Sequence, residues 1–187
     1  MPMKLTAARL ARLETLREHY RATLFEDVVP WWEQHSLDPE CGGYYSCLDR
    51  EGKPWSTDKF MWMTGREIWT FSHLHNRYRR NQAWVDAARL GADFILKHAF
   101  QPEGKMYFRL SREGKPMAKC LSLFSEMFCA MGLGELSKAT GDAGLWAKAR
   151  GCTISWCPGS ACLRTRPCWA IPWRPSSTFI PTTCAGS

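Results

Sequence analysis

An all-α chain of stacked helical hairpins, with small β-hairpins between the helices, is the fold class this sequence predicts. Two observations carry the prediction. Apolar residues recur at helical spacing through most of residues 6–150, and one turn-bearing segment occurs twice. "LDREGKPW" spans Leu48 to Trp55 and "LSREGKPM" spans Leu110 to Met117, 62 residues later. Each follows an aromatic pair, Tyr44-Tyr45 or Tyr107-Phe108, and each reads as strand, tight Glu-Gly turn, strand. Each is followed by an apolar helix. A unit of this kind cannot bury its apolar face alone, so repetition implies stacking on neighbours, as in a helical toroid.

Element by element, Leu10, Leu13, Leu16, Leu24, Val28 and Trp31 fall mostly three or four apart and predict helix between Thr6 and His35. The run "FMWMTGREIWTF" is apolar nearly all round. It predicts a helix from Asp58 to Tyr78, buried on most sides, with Thr57 or Asp58 as N-cap. Gln82 to Ala99 is amphipathic through Trp84, Ala88, Gly91 and Ile95. Ser122 to Ala139 carries Leu123, Phe124, Met127, Phe128, Met131 and Leu136. Gly141-Asp142 restarts a helix expected to stop at Arg150.

At Arg150 the composition changes. Residues 151–187 contain no Asp, Glu, Lys or His, yet hold five of the nine cysteines, five of the eleven prolines and three of the ten tryptophans. The expected organisation is therefore a helical domain over 1–150 and a Cys/Trp/Pro-rich tail over 151–187. The expectation for the tail is an out-of-frame or aberrantly spliced segment, because a true domain end keeps mixed charge. Cys152, Cys157, Cys162 and Cys168 are spaced x4, x4, x5 without histidine. Zinc sites instead use close pairs separated by a long gap, so zinc binding is the disfavoured alternative.

Charge and hydropathy narrow the function classes. The net charge of +7 raises nucleic acid as a partner, but the basic residues are dispersed. Their longest cluster, Arg77, Arg79 and Arg80, sits at a helix end, where cations interact favourably with the helix dipole. No apolar leader follows Met1 and no 18-residue apolar run exists. The expectation is a cytoplasmic protein with reduced thiols that binds neither nucleic acid nor membrane.

The string "GGYYSCLDREGKPWSTDKFMWMTGREIWTFSHLH", and with it "FSEMFCAMGLGELSKATGD", resembles the N-acylglucosamine 2-epimerase family over roughly residues 12–150. Asp-Lys-aromatic-x-Trp-x-x-Gly-Arg is its most specific part. The resemblance implies an (α/α)6 barrel around a sugar pocket, of which this chain holds the N-terminal portion. It implies epimerisation or isomerisation at C2 of an open-chain aldose, with one histidine as base and a second as acid. It also implies no metal or redox cofactor, a small-molecule sugar substrate, and a homodimer in full-length members. The FSEMF helix is more similar to the N-acylglucosamine or mannose branch than to the cellobiose branch.

That chemistry suits the residue types. Removing a proton alpha to an aldehyde at neutral pH needs a base titrating near working pH, and the developing oxyanion needs a fixed donor. Arg66 matches the motif arginine that the family uses at the sugar's carbonyl end, and is the expected catalytic residue of this chain. In so apolar a helix it is expected to be buried, with Glu67 or Glu126 as the structural alternative for a partner. Trp62, one turn earlier, matches a pocket-lining position, with core packing as its alternative. Glu126 is either a hydroxyl acceptor for sugar or a partner of Arg66. Trp62, Arg66 and Glu126 are thus the expected substrate-binding set. His73 and His75 are two apart, face different directions on a helix and argue against a metal site. His19, His35, His73, His75 and His98 match none of the family's catalytic histidines. The chain is therefore expected to be an inactive fragment with exposed apolar faces and poor solubility, or else a non-catalytic sugar- or protein-binding module.

Overall fold

The computed structural model describes residues 6–120 and 122–154. The tail beyond Ile154, and with it the shifted-frame reading and most of the cysteine spacing, lies outside the described residues.

Thr6 caps α1 (Ala7–Thr23) through the Arg9 amide, 3.4 Å from its hydroxyl. The chain then passes through a π-helical turn, Leu24–Val28, into α2 (Val29–His35). Pro30 explains the widened turn. It has no N–H to give the carbonyl four residues back, and its ring crowds that carbonyl. One uninterrupted helix was expected here, and the three-to-four spacing alone does not register the change.

β1 (Cys47–Leu48) and β2 (Pro54–Ser56) form the first hairpin. β3 (Lys59–Phe60) leads into α3 (Met61–Arg77), which in turn is followed by α4 (Gln82–His98). The second hairpin is β4 (Tyr107–Leu110) with β5 (Pro116–Lys119), and β3 pairs antiparallel with β4 to make a three-stranded sheet. That pairing moves the start of α3 from the expected Asp58 to Met61, because the ladder holds Lys59 and Phe60 extended. Phe60, at φ −97° and ψ 117°, is the residue before the helix and gives it no side-chain cap. α5 (Phe124–Thr140) ends on Gly141, and α6 (Ala143–Ile154) starts on Asp142, whose carboxylate accepts from the Gly144 amide at 2.8 Å. α6 runs past Arg150, the expected stop, and Cys152 is buried with its sulfur 3.8 Å from that of Cys129 on α5.

The repeat seen in sequence is a repeat of hydrogen bonds. The Asp49 amide donates to the Lys53 carbonyl at 3.0 Å, and the Ser111 amide to that of Lys115 at 2.8 Å. Gly52 and Gly114 close the two turns at φ +82° and +90°, a region that L side chains rarely adopt. Beneath each lies an imidazole from the end of the preceding helix. A Cβ on Gly52 would stand 2.2 Å from the His35 ring, and one on Gly114 2.3 Å from that of His98.

α3 packs along α5, with α4 against α3 and α6 against α5. The central pair touches backbone to backbone. A Cβ on Gly65 would be 2.6 Å from the carbonyl carbon of Phe128, and one on Gly132 2.5 Å from the Gly65 oxygen. Around this seam Met61, Ile68, Leu133 and Leu136 are fully buried. Gly132→Ala is therefore expected to force the helices apart and cost about 1–3 kcal/mol, although alanine is the better helix former. Chemical denaturation of the variant checks this; an unchanged or higher midpoint would contradict the contact.

A buried ion cluster ties the hairpins together. Asp38 is sealed from solvent. It accepts from Lys59 Nζ at 2.8 Å, from Arg112 Nε and Nη2 at 2.9 and 3.0 Å, and from the amides of Glu40 and Cys41 at 3.2 Å. Lys59 also donates to the Gly42 carbonyl and lies 4.4 Å from the Phe94 ring centroid.

Candidate functional site

Helical spacing places Met63, Arg66, Glu67, Thr70 and Leu74 along one face of α3, roughly opposite the glycine seam. The same space is lined by Leu24 and Val28 of the π-turn, by Val29 and Trp32 of α2, and by Tyr45 and Ser46. The space between is an apolar cleft of about 310 Å³. It is wide enough for a small ligand and carries few polar groups, the usual make-up of a binding pocket.

Arg66 is exposed rather than buried, and it forms no ion pair with Glu67, Glu126 or any other carboxylate among the described residues. The reason is local. α3 presents Arg66 at the open edge of its contact with α5, where it lines the cleft and stays exposed, so no carboxylate is needed to solvate it. Two rings hold the guanidinium instead, with its carbon 5.6 Å from the Trp62 centroid and 5.3 Å from that of Phe128. The two rings are themselves 6.2 Å apart. Cation–π contacts of this kind fix a side chain while leaving its N–H groups undirected toward protein, so the donors remain for a ligand. Trp62 is half-buried, and the structure brings it to Arg66.

Glu126 is not brought to that pair. It is 3% exposed at the first turn of α5. Its Oε1 accepts from the Met106 amide at 2.9 Å, and its Oε2 is buried without a partner among the described residues. That bond ties α5 to the segment entering β4.

Glu67 and Ser36 were not singled out as site residues, although Glu67 adjoins Arg66 in the motif. Ser36 follows α2 and is fully buried. Its Oγ contacts both the Trp32 carbonyl oxygen, at 2.7 Å, and Glu67 Oε1. Burial pushes the Glu67 carboxyl up to about 8, opposed by the hydrogen bond with Ser36. The signal that could have flagged it is the one used for Glu126, a carboxylate inside an apolar helix.

No histidine lines the cleft. His35 and His98 fill the space beneath the turn glycines. His73 stacks on Trp69 at 4.5 Å with Nδ1 3.3 Å from Glu135 Oε1, and His75 Nδ1 meets the Asn81 amide at 3.1 Å. His19 stands on α1, which has no buried residue. Among the described residues no three His, Cys, Asp or Glu side chains are grouped to hold a metal ion, and no helix is long and apolar enough to cross a membrane.

A family model described as N-acylglucosamine 2-epimerase (GlcNAc 2-epimerase) matches residues 43–152. Human N-acylglucosamine 2-epimerase is 38% identical over 119 residues, which are 62% of this chain and 28% of the human protein. Cellobiose 2-epimerase of Dictyoglomus turgidum is 30% identical over 130 residues, 68% of this chain and 33% of that protein. The solved cellobiose 2-epimerase of Spirochaeta thermophila superposes with a TM-score of 0.69 at 24% identity, covering 80% of this chain and 37% of that one. This last likeness shows the fold, the paired helices of part of an (α/α)6 barrel. The chain thus spans about a third of the length of the relatives it matches.

Proposed function

The chain belongs to the N-acylglucosamine 2-epimerase family, and from that we propose that its Arg66 cleft is one wall of a sugar site built for chemistry at C2. The observation that carries the reading is the guanidinium held against the rings of Trp62 and Phe128, with no ion pair to a carboxylate among the described residues. Deprotonation at C2 of an open-chain aldose moves negative charge onto the carbonyl oxygen. A permanent cation with fixed donors stabilises that oxyanion without taking part in proton transfer. Trp62 supplies a flat apolar face beside it, suited to the C–H face of a sugar. The higher identity to N-acylglucosamine 2-epimerases than to cellobiose 2-epimerases supports an N-acylated monosaccharide as ligand.

Proton transfer is a separate matter. All five histidines of the chain lie within the described residues, and none of them lines the cleft. The reading is that this chain binds sugar through Arg66 and Trp62 and does not turn it over alone. The domain reading stands beside it: the helical unit carries this wall, and the Cys/Trp/Pro-rich segment after it comes from a shifted frame or an aberrant splice. A charged, periodic continuation in another frame of the nucleotide sequence supports the second part, and its absence from both other frames refutes it.

Proton NMR of the 187-residue protein with N-acetylmannosamine in D2O tests the catalytic part. The expected result is neither exchange of the C2 hydrogen nor appearance of the epimer; either would overturn the assignment of binding without turnover.

A further inference from the structure

We propose that Glu67 is held as a neutral carboxylic acid that donates its proton to Ser36 Oγ, latching α3 to the end of α2 and leaving Arg66 as the unopposed charge of the cleft. This goes beyond the sugar-binding reading and holds without it. The Ser36 hydroxyl has one proton to donate. Ser36 Oγ lies 2.7 Å from the Trp32 carbonyl oxygen, which can only accept, and it also contacts Glu67 Oε1. If Ser36 gives its proton to Glu67, two oxygens face each other at 2.7 Å with no hydrogen between them. If Ser36 gives it to Trp32, the contact with Glu67 is a hydrogen bond only when the carboxyl brings its own proton. The protonated acid satisfies both contacts and completes a chain from Glu67 to Ser36 to the Trp32 carbonyl.

The surroundings favour the same state. From the π-turn and α2, the cleft receives Leu24, Val28, Val29 and Trp32, none of them charged. Among the described residues the other titratable groups lining the cleft are the Tyr45 phenol and the Arg66 guanidinium, and the Tyr44 phenol, from the loop before β1, lies close enough to sense a charge on Glu67. Tyr44 is buried, and burial holds its phenol neutral. Among the described residues Arg66 is the one cation lining the cleft, and it makes no ion pair with Glu67. With Glu67 neutral, the cleft presents a net positive group to whatever enters. Ionisation puts a negative charge beside Arg66 and turns Ser36 from acceptor to donor, which breaks its bond to Trp32. Glu67 is thus a positioning residue that acts through Ser36 and Arg66.

The folded protein then keeps a proton that the unfolded chain releases near 4.5. Stability from this group is complete below that pH, is lost as pH climbs toward about 8, and stays level above it. The test is a carbon NMR titration of protein labelled at the glutamate carboxyls, with Glu67→Gln to assign the resonance. One glutamate is expected to titrate near pH 8 and to be missing from the variant. The glutamine amide keeps a donor for Ser36, so Glu67→Gln is expected to fold and to lose the decline in Tm between about pH 5 and 8. Should that variant fail to fold, infrared spectra of the wild type in D2O decide the matter alone. A protonated-carboxyl band at about pH 7 that vanishes by about pH 9.5 supports the latch. A Glu67 resonance that titrates below about pH 6, or no such band at about pH 7, overturns it.

Discussion

Asp38→Asn is expected to cost about 3–5 kcal/mol, a large part of the stability of an ordinary domain. Asp38 takes charge-assisted hydrogen bonds from Lys59 and Arg112 while sealed from water. Burial by itself would push its carboxyl up. The bonds from Arg112 and Lys59 and from the Cys41 amide outweigh burial and hold it well below the usual carboxylate range. Its contribution is therefore complete above about pH 4, the ordinary value, and is lost only as pH falls below it. Asparagine leaves the Lys59 ammonium, itself fully buried, with the Gly42 carbonyl as its remaining strong acceptor. Urea unfolding at about pH 7 should show a lower midpoint with an unchanged slope. Adding Lys59→Met should recover part of the loss, because it removes the stranded charge. A single variant as stable as the parent would show that the cluster contributes little.

Glu126→Ala is expected to cost about 2–4 kcal/mol, while Glu126→Gln costs little or nothing. Alanine leaves the buried Met106 amide without its acceptor and opens a void at the start of α5. Glutamine keeps an acceptor at 2.9 Å geometry and removes a carboxyl whose second oxygen has no partner among the described residues. Thermal unfolding of both variants separates the two roles open to this residue. A structural acceptor gives the split just described. A sugar ligand gives two variants of parental stability that both bind sugar more weakly. At 3% exposure Glu126 is placed for the first role.

The sequence reveals local chemistry well and long-range pairing poorly, and particular residues show why. Both hairpins were legible because Gly52 and Gly114 are demanded by positive φ within a recurring turn, a constraint confined to a few residues. The helices were legible from apolar periodicity, but their ends were not. Phe60 belongs to a strand only because Arg109, far along the chain, is there to pair with it. Nothing local announces the bond from Arg112 to Asp38, 74 positions apart, or the imidazoles lodged beneath the turns. For the site, the motif pointed to Trp62 and Arg66, and the structure brings these two together. It misled about environment, because an apolar helix was expected to bury its arginine. α3 buries its glycine face on α5 and leaves Arg66 at the open edge of that contact, against Phe128 and lining the cleft. Glu67 escaped notice as a site residue because its role depends on Ser36, 31 positions away.

The most direct measurement is saturation-transfer NMR of N-acetylmannosamine with the 187-residue protein, comparing the parent with Arg66→Lys. Lysine keeps the charge but loses the planar set of donors, so a site that reads a sugar oxygen through Arg66 should lose binding about tenfold or more. The prediction is saturable transfer to the sugar in the parent, largely abolished in the variant while the fold is unchanged. No transfer in the parent, or equal transfer in both proteins, would contradict the assignment of the Arg66 cleft as a sugar-binding wall.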